Sequence, residues 1–258
     1  MSLRFAANLD RFWSDQPIGD RFAQAVAHGF DLVEFLYPQD VAEEVGAALA
    51  ASGARIALFN TGVGQQSEGD KGILAIPGRE ADFRACVASD LELADRWGVT
   101  QLHAVGGVPP AADRGEASVA AAISNLRSVA DMVHAAGVSI HVEFINSVDV
   151  PGFGVPSLEA AVEIVRAVDH PAVRLQFDQY HVAVSGLDPV QELRRHHDLV
   201  AYVQVADADG RHEPPPGSEA VPRFLRELLD LGYTGVVGLE YDPRGDTAAG
   251  IRWLDDWR

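Results

Sequence analysis

Short runs rich in β-branched and aromatic residues alternate along this chain with longer runs whose apolar positions recur every three or four residues. The short runs predict strands over residues 3–8, 32–36, 55–60, 100–104, 138–143, 173–178, 200–204 and 235–240. The longer runs predict helices between them. One follows Pro17 with Phe22, Val26 and Ala27 on one side, and the next spans 41–51. A third carries Phe83, Val87, Leu91 and Ala94, and a fourth spans 117–136 up to Gly137, a suitable residue for the turn out of a helix. Ser157 is a good N-cap for the fifth, and Asp188-Pro189 with Gln191 at the third helical position opens the sixth. Val221, Phe224, Leu225, Leu228 and Leu229 share one face of the seventh, which Gly232 ends, and the last helix spans 248–257. Pro214-Pro215-Pro216 sits in a loop because it cannot be helical.

Strands alternating with helices imply an α/β chain with a parallel sheet. Eight units of about 32 residues, with no linker between them, predict a single (β/α)8 TIM barrel spanning 1–258. A doubly wound sheet is the competitor. It would carry a glycine-rich fingerprint after the first strand, where the chain reads Asn8-Leu9-Asp10-Arg11.

The polar positions sharpen this picture. Strands covered on both faces should read as unbroken apolar runs. Here nearly every strand ends on a polar or ionisable residue: Asn8, Glu34, Asn60, His103, Glu143, Asp178, Gln204 and Glu240. The C-terminal ends of barrel strands form the active-site face. Glu143, Asp178, Gln204 and Glu240 come from four consecutive strands and offer oxygen donors only, a set suited to a hard divalent cation, Mg²⁺ or Mn²⁺. Three carboxylates would otherwise repel one another. Past the strands, His181 and Arg211 are candidates to bind substrate, Arg211 as a bidentate clamp on a carboxylate. Asp207, Asp209 and Gly210 imitate part of a calcium loop, but Val205 stands where its first ligand belongs. The stretch from Gly64 to Gly69 before Asp70-Lys71 imitates a phosphate-binding loop without its Gly-Lys pair.

Composition excludes more than it selects. A net charge of −18 works against nucleic acid and anionic membranes. No apolar run approaches the length of a membrane span, and no secretory leader is visible in the first 30 residues. The lone Cys86 fits a reducing cytoplasm. Oligomeric state stays open, a homo-oligomer included.

Several stretches together carry a resemblance: Phe5-Ala6-Ala7-Asn8-Leu9, Val33-Glu34-Phe35, Leu74-Ala75-Ile76-Pro77-Gly78-Arg79-Glu80, Glu143-Phe144-Ile145-Asn146-Ser147, Val150-Pro151-Gly152-Phe153, Gln176-Phe177-Asp178-Gln179-Tyr180-His181, Gln204-Val205-Ala206-Asp207 with Gly210-Arg211-His212-Glu213-Pro214, and Gly238-Leu239-Glu240-Tyr241. The chain resembles the hydroxypyruvate isomerases of the xylose-isomerase-like barrels over essentially its whole length. The resemblance implies Glu143 and Glu240 as the acid/base pair, and Glu143, Asp178, Gln204 and Glu240 as metal ligands. His181, Arg211, His103, Asn8, Asn60 and His212 are the residues expected to meet substrate. Two departures stand out: Phe144 follows the strand-five glutamate where the family pattern has proline, and the strand-seven loop runs Pro-Pro-Pro-Gly-Ser-Glu-Ala.

The expected activity is isomerisation of a small hydroxy-oxo acid, hydroxypyruvate to tartronate semialdehyde, by metal-assisted proton transfer through an enediolate. An isomerase or epimerase of four-carbon oxo acids or free sugars is the alternative on the same scaffold. A barrel that binds metal and sugar acids without chemistry is the alternative from another class. Glu240→Gln is expected to leave the metal-free melting temperature unchanged or higher, because it removes one of several repelling carboxylates.

Overall fold

Eight parallel strands close into one barrel in sequence order. The computed structural model describes residues 2–63 and 71–257; the glycine-bearing stretch 64–70 lies outside them. The order is β1 (Arg4–Asn8), α1 (Ile18–Ala27), β2 (Leu32–Phe35), α2 (Ala42–Ser52), β3 (Arg55–Asn60), α3 (Glu80–Trp97), β4 (Gln101–Ala104), α4 (Glu116–Ala135) and β5 (Ser139–Val142). It continues with α5 (Leu158–Val168), β6 (Val173–Asp178), α6 (Gln179–Val184), α7 (Pro189–His196), β7 (Val200–Val205), α8 (Ala220–Asp230), β8 (Val236–Leu239) and α9 (Thr247–Gly250). None of the described helices is long and apolar enough to cross a membrane.

The expected caps form. Ser157 Oγ accepts from the Ala160 amide, and Asp188 Oδ1 accepts from Val190 with Pro189 in the first turn. Gly137 adopts φ 70°, the left-handed turn that releases α4 into β5. Two elements differ from expectation. Instead of a helix over 248–257, α9 is a single turn followed by a 3-10 segment, Arg252–Asp256. The helix α6 sits where a loop was expected, because the Asp178 side chain caps the Tyr180 amide and starts it directly off β6.

Side chains alternate across each strand. One set, including Phe5, Val33, Ile140, Leu175, Val203 and Val237, packs outward into the core shared with the helices. There the α8 face closes on the sheet, with Phe224 stacked on Phe177 at 5.7 Å. Burying a side chain of that size stabilises the fold by about 1.5–3 kcal/mol. The other set points into the barrel. Low in the barrel it is mostly apolar, with Ala6, Leu32 and Val236 in one cluster with Tyr202, whose ring centroid lies 6.3 Å from that of the buried His141. One or two residues further along each strand it turns polar. Register shifts between Val33 and Glu34 and between Leu175 and Gln176 accompany this change. Such bulges re-aim side chains next to active sites.

Candidate active site

The barrel mouth is built from residues just inside or just past the last strand pairings. Glu143 and Glu240 each follow the final residue of β5 and β8, while Asp178 and Gln204 face each other across β6 and β7. All four are buried. Each strand end therefore delivers one oxygen-bearing side chain to the same place.

Arg211 holds the centre. Its Nη2 lies 3.1 Å from Asp178 Oδ2 and 2.8 Å from Glu240 Oε1, and its Nε donates to the Glu240 carbonyl at 3.2 Å. The guanidinium carbon stands 4.8 Å over the Tyr180 ring, and the backbone takes φ 56° to aim the side chain inward. Burial works against its charge, but Glu240, Asp178 and Glu143 outweigh that and hold its pKa above the ordinary arginine value. Arg11, on the loop after β1, reaches Glu240 at 3.4 Å and Asp242 at 3.0 Å.

His103 and Asn60 brace Glu143. Asn60 hydrogen-bonds the Tyr37 hydroxyl, and its Oδ1 lies 3.0 Å from His103 Nδ1. The imidazole therefore donates from Nδ1 and turns its Nε2 lone pair to Glu143 Oε2, 3.3 Å away. Burial pushes the His103 pKa down to about 3, so the ring is neutral. Burial, then the charges of Asp178 and Glu240, push Glu143 well above the usual carboxylate range. Glu143 Oε1 is buried and takes no hydrogen bond from a described residue.

His181 is set differently. Asn146 Oδ1 accepts from the Val148 and Asp149 amides, so its Nδ2 faces His181 Nδ1 at 2.7 Å. Nδ1 must accept, which places the proton on Nε2, 3.5 Å from Asp178 Oδ2. Burial pushes this histidine down to about 3 as well. Glu143, Asp178 and His181 present donor atoms within 4.8 Å of one another and could hold a metal ion. The tautomer makes His181 a hydrogen-bond donor there, whereas the carboxylates of Glu143, Asp178 and Glu240 and the oxygen of Gln204 are better matched to a hard cation.

The remaining expected residues lie apart. Asn8 is wholly buried and donates to Glu34 Oε1 at 3.0 Å, beneath the mouth. His212 turns its Nδ1 to the Asp242 carbonyl at 2.6 Å, on the outer side of the loop. Arg11, Tyr37 and Gln176 join the site without having been singled out. Arg11 carried no signal beyond lying in a strand-end loop, and Gln176 reaches Gln204 Oε1 at 2.7 Å from the inward face of β6.

Residues 22–257 match the model of the xylose isomerase-like TIM barrel family. The chain belongs to that family. Within it the chain groups with the hydroxypyruvate isomerases and 2-oxo-tetronate isomerases. It is 39% identical to a 2-oxo-tetronate isomerase of Cupriavidus necator, over 97% of each chain. It is 32% identical to the hydroxypyruvate isomerase of Escherichia coli, over 99% of this chain and 100% of that one. A crystal structure titled AP endonuclease, family 2 from Brucella melitensis superposes with TM-score 0.93 at 36% identity and full coverage of both chains. In this family setting the polar strand ends form the mouth of an isomerase barrel.

Proposed function

We propose that this enzyme interconverts hydroxypyruvate and tartronate semialdehyde, with Glu143 and Glu240 moving the proton between adjacent carbons. The observation that carries this reading is the gathering of buried carboxylates at the barrel mouth around Arg211, which pairs with Glu240 and Asp178 and whose charge acts on Glu143. Glu143, Asp178, Gln204 and Glu240 would hold a divalent cation, Mg²⁺ or Mn²⁺. The residues fit such an ion: the donors are oxygens, the carboxylates repel one another, and the buried Glu143 Oε1 takes no hydrogen bond from a described residue. The chemistry such an ion supplies is polarisation of the substrate's carbonyl and hydroxyl oxygens, which acidifies the neighbouring C–H.

The protein's own groups do the rest. Burial and the charges of Asp178 and Glu240 raise the pKa of Glu143, which makes its carboxylate a stronger proton acceptor. Glu240, from the end of β8, is the partner that takes or returns the proton. Arg211, stacked on Tyr180, binds the substrate carboxylate, and His181 donates from Nε2 to a substrate oxygen. The net charge of −18 disfavours a phosphodiester substrate, so the endonuclease title of the Brucella structure is not carried over. A reducing cytoplasm is the proposed setting for a chain whose one cysteine is half-buried.

A substrate panel tests the reading. Metal-stripped enzyme should be inactive on hydroxypyruvate and regain turnover with Mn²⁺ or Mg²⁺. The 39% relative named for 2-oxo-tetronate makes the four-carbon acid the sharpest competitor. A higher kcat/KM for that acid would move the substrate and leave the residue roles intact. Full activity in the presence of a chelator would refute the cation-dependent site.

A further inference from the structure

Glu34 stands beneath the residues assigned above and does not touch Arg211 or Arg11. It is wholly buried on the inward face of β2. Its Oε1 accepts from Asn8 Nδ2 at 3.0 Å and from Gln204 Nε2 at 3.1 Å, and its Oε2 accepts from the Tyr202 hydroxyl at 2.6 Å. Opposite it on β8 is Gly238, where a Cβ would come within 2.3 Å of Oε2. The barrel thus keeps open a space that only this carboxylate fills. Holding a carboxylate in such a place is costly, and an apolar side chain would pack the barrel more cheaply.

Its effect on Gln204 is specific. The two ends of a glutamine amide are nearly the same size, so packing alone does not choose between its two orientations. Burial pushes the Glu34 pKa up to about 7, but Oε1 takes two N–H donors, from Asn8 and Gln204, so a proton would sit on Oε2 beside Tyr202 and Oε1 is an acceptor in either state. Glu34 therefore holds the nitrogen of Gln204 toward itself and the oxygen on the other side, where it accepts from Gln176 and keeps a second lone pair.

We propose that Glu34 is a positioning residue that fixes the amide of Gln204 with its oxygen toward the barrel mouth, so that position 204 serves as a neutral oxygen donor beside Glu143, Asp178 and Glu240. The same contact explains why position 204 is an amide, since a carboxylate there would face Glu34. This inference rests on the cation-dependent reading above.

The test is Mn²⁺ titration by calorimetry on the wild type, Glu34→Gln and Glu34→Leu, with metal-free melting temperatures measured alongside. Glu34→Gln keeps an acceptor oxygen for Asn8 and Gln204 and turns its NH₂ to the Tyr202 oxygen, so its affinity should stay close to wild type. Glu34→Leu frees the amide and should lose about 10- to 100-fold in Mn²⁺ affinity, the usual effect of losing a residue that orients a ligand. A lower melting temperature with unchanged Mn²⁺ affinity would mean that Glu34 only supports the fold, and would overturn the inference. An equal loss in Glu34→Gln would assign the effect to charge, and would overturn it too. A wild type that binds no Mn²⁺ would remove the cation-dependent reading and this inference together. Should Glu34→Leu not fold, Gln204→Glu decides: its metal-free melting temperature should fall, and Glu34→Gln in the same chain should restore it. No restoration would overturn the inference.

Discussion

Replacing Arg211 with alanine removes the one guanidinium shared by Asp178 and Glu240. The contacts are 3.1 and 2.8 Å, and the Arg211 side chain is only 15% exposed. At an effective dielectric near 20, each pair has a gross attraction of about 5 kcal/mol. Desolvation takes back much of it, and removing one partner of a buried pair typically costs about 3–5 kcal/mol. A second bound comes from protonation. An orphaned carboxylate can take a proton, and raising its pKa from about 4 to an assay pH of 7 costs about 4 kcal/mol. The two bounds agree, so the metal-free variant should lose about 3–4 kcal/mol of stability at pH 7. The sign with pH follows from the second bound. The proton becomes cheaper to take up as pH falls, so the deficit should be larger at pH 8 than at pH 5. The KM for hydroxypyruvate should rise by roughly a hundredfold, about 2–3 kcal/mol, while kcat falls less. Urea unfolding with a chelator at pH 5, 7 and 8, followed by initial-rate kinetics, measures both. A deficit below about 1 kcal/mol at every pH would refute the pairing argument. An unchanged KM would show that Arg211 does not read the substrate carboxylate, as expected of an enzyme for neutral ketoses.

Gly238→Ala should lose about 2–5 kcal/mol, because the new methyl displaces a carboxylate held by three donors; a melting temperature equal to wild type would show that the barrel interior relaxes freely. Asp90, buried on α3, accepts from Gln39 and from the Gly62 amide, and burial pushes its pKa up to about 6. A raised carboxylate pKa means that the folded state binds the extra proton, so this group's contribution to stability falls as pH rises from about 4 to 6. Asp90→Asn lacks that titration, so its stability relative to wild type should improve by about 3 kcal/mol between pH 4 and 7, and a pH-independent difference in urea unfolding would contradict the assignment. Glu240→Gln should lower turnover by roughly two orders of magnitude or more. Its metal-free melting temperature should fall, the reverse of the expectation drawn from sequence, because Glu240 is bridged by Arg211 and Arg11 and is not merely repelled by its neighbours.

The barrel and its mouth were legible because strands covered on both faces read as apolar runs, so polar residues at their ends stand out. That constraint picked out Glu143, Asp178, Gln204 and Glu240 one strand at a time. Pairings across the barrel left no such trace. Tyr202 and Gln204 reach Glu34 across sequence separations of 168 and 170 residues, and the period of a strand says nothing about which opposite strand its inward residue meets. His103 and Asn60 were expected to meet substrate; the structure adds that they lie side by side, with His103 Nε2 3.3 Å from Glu143 Oε2, a link the strand pattern does not show. The helix α6 escaped because six residues are too few for a periodic signal, and its start depends on Asp178 capping from the strand end. Arg11 sat in a loop noted only for lacking glycines.

The central claim, proton transfer between adjacent carbons by Glu143 and Glu240, is tested most directly by incubating wild type, Glu143→Gln and Glu240→Gln with hydroxypyruvate and Mn²⁺ in deuterated buffer and following the carbon-bound protons by NMR. The account requires tartronate semialdehyde to form with the wild type, with solvent deuterium entering at the carbon that exchanges its proton. Both variants should be slower in isomerisation and exchange by roughly two orders of magnitude or more. Wild-type rates in either variant, or neither isomer nor exchange with the wild type, would contradict it.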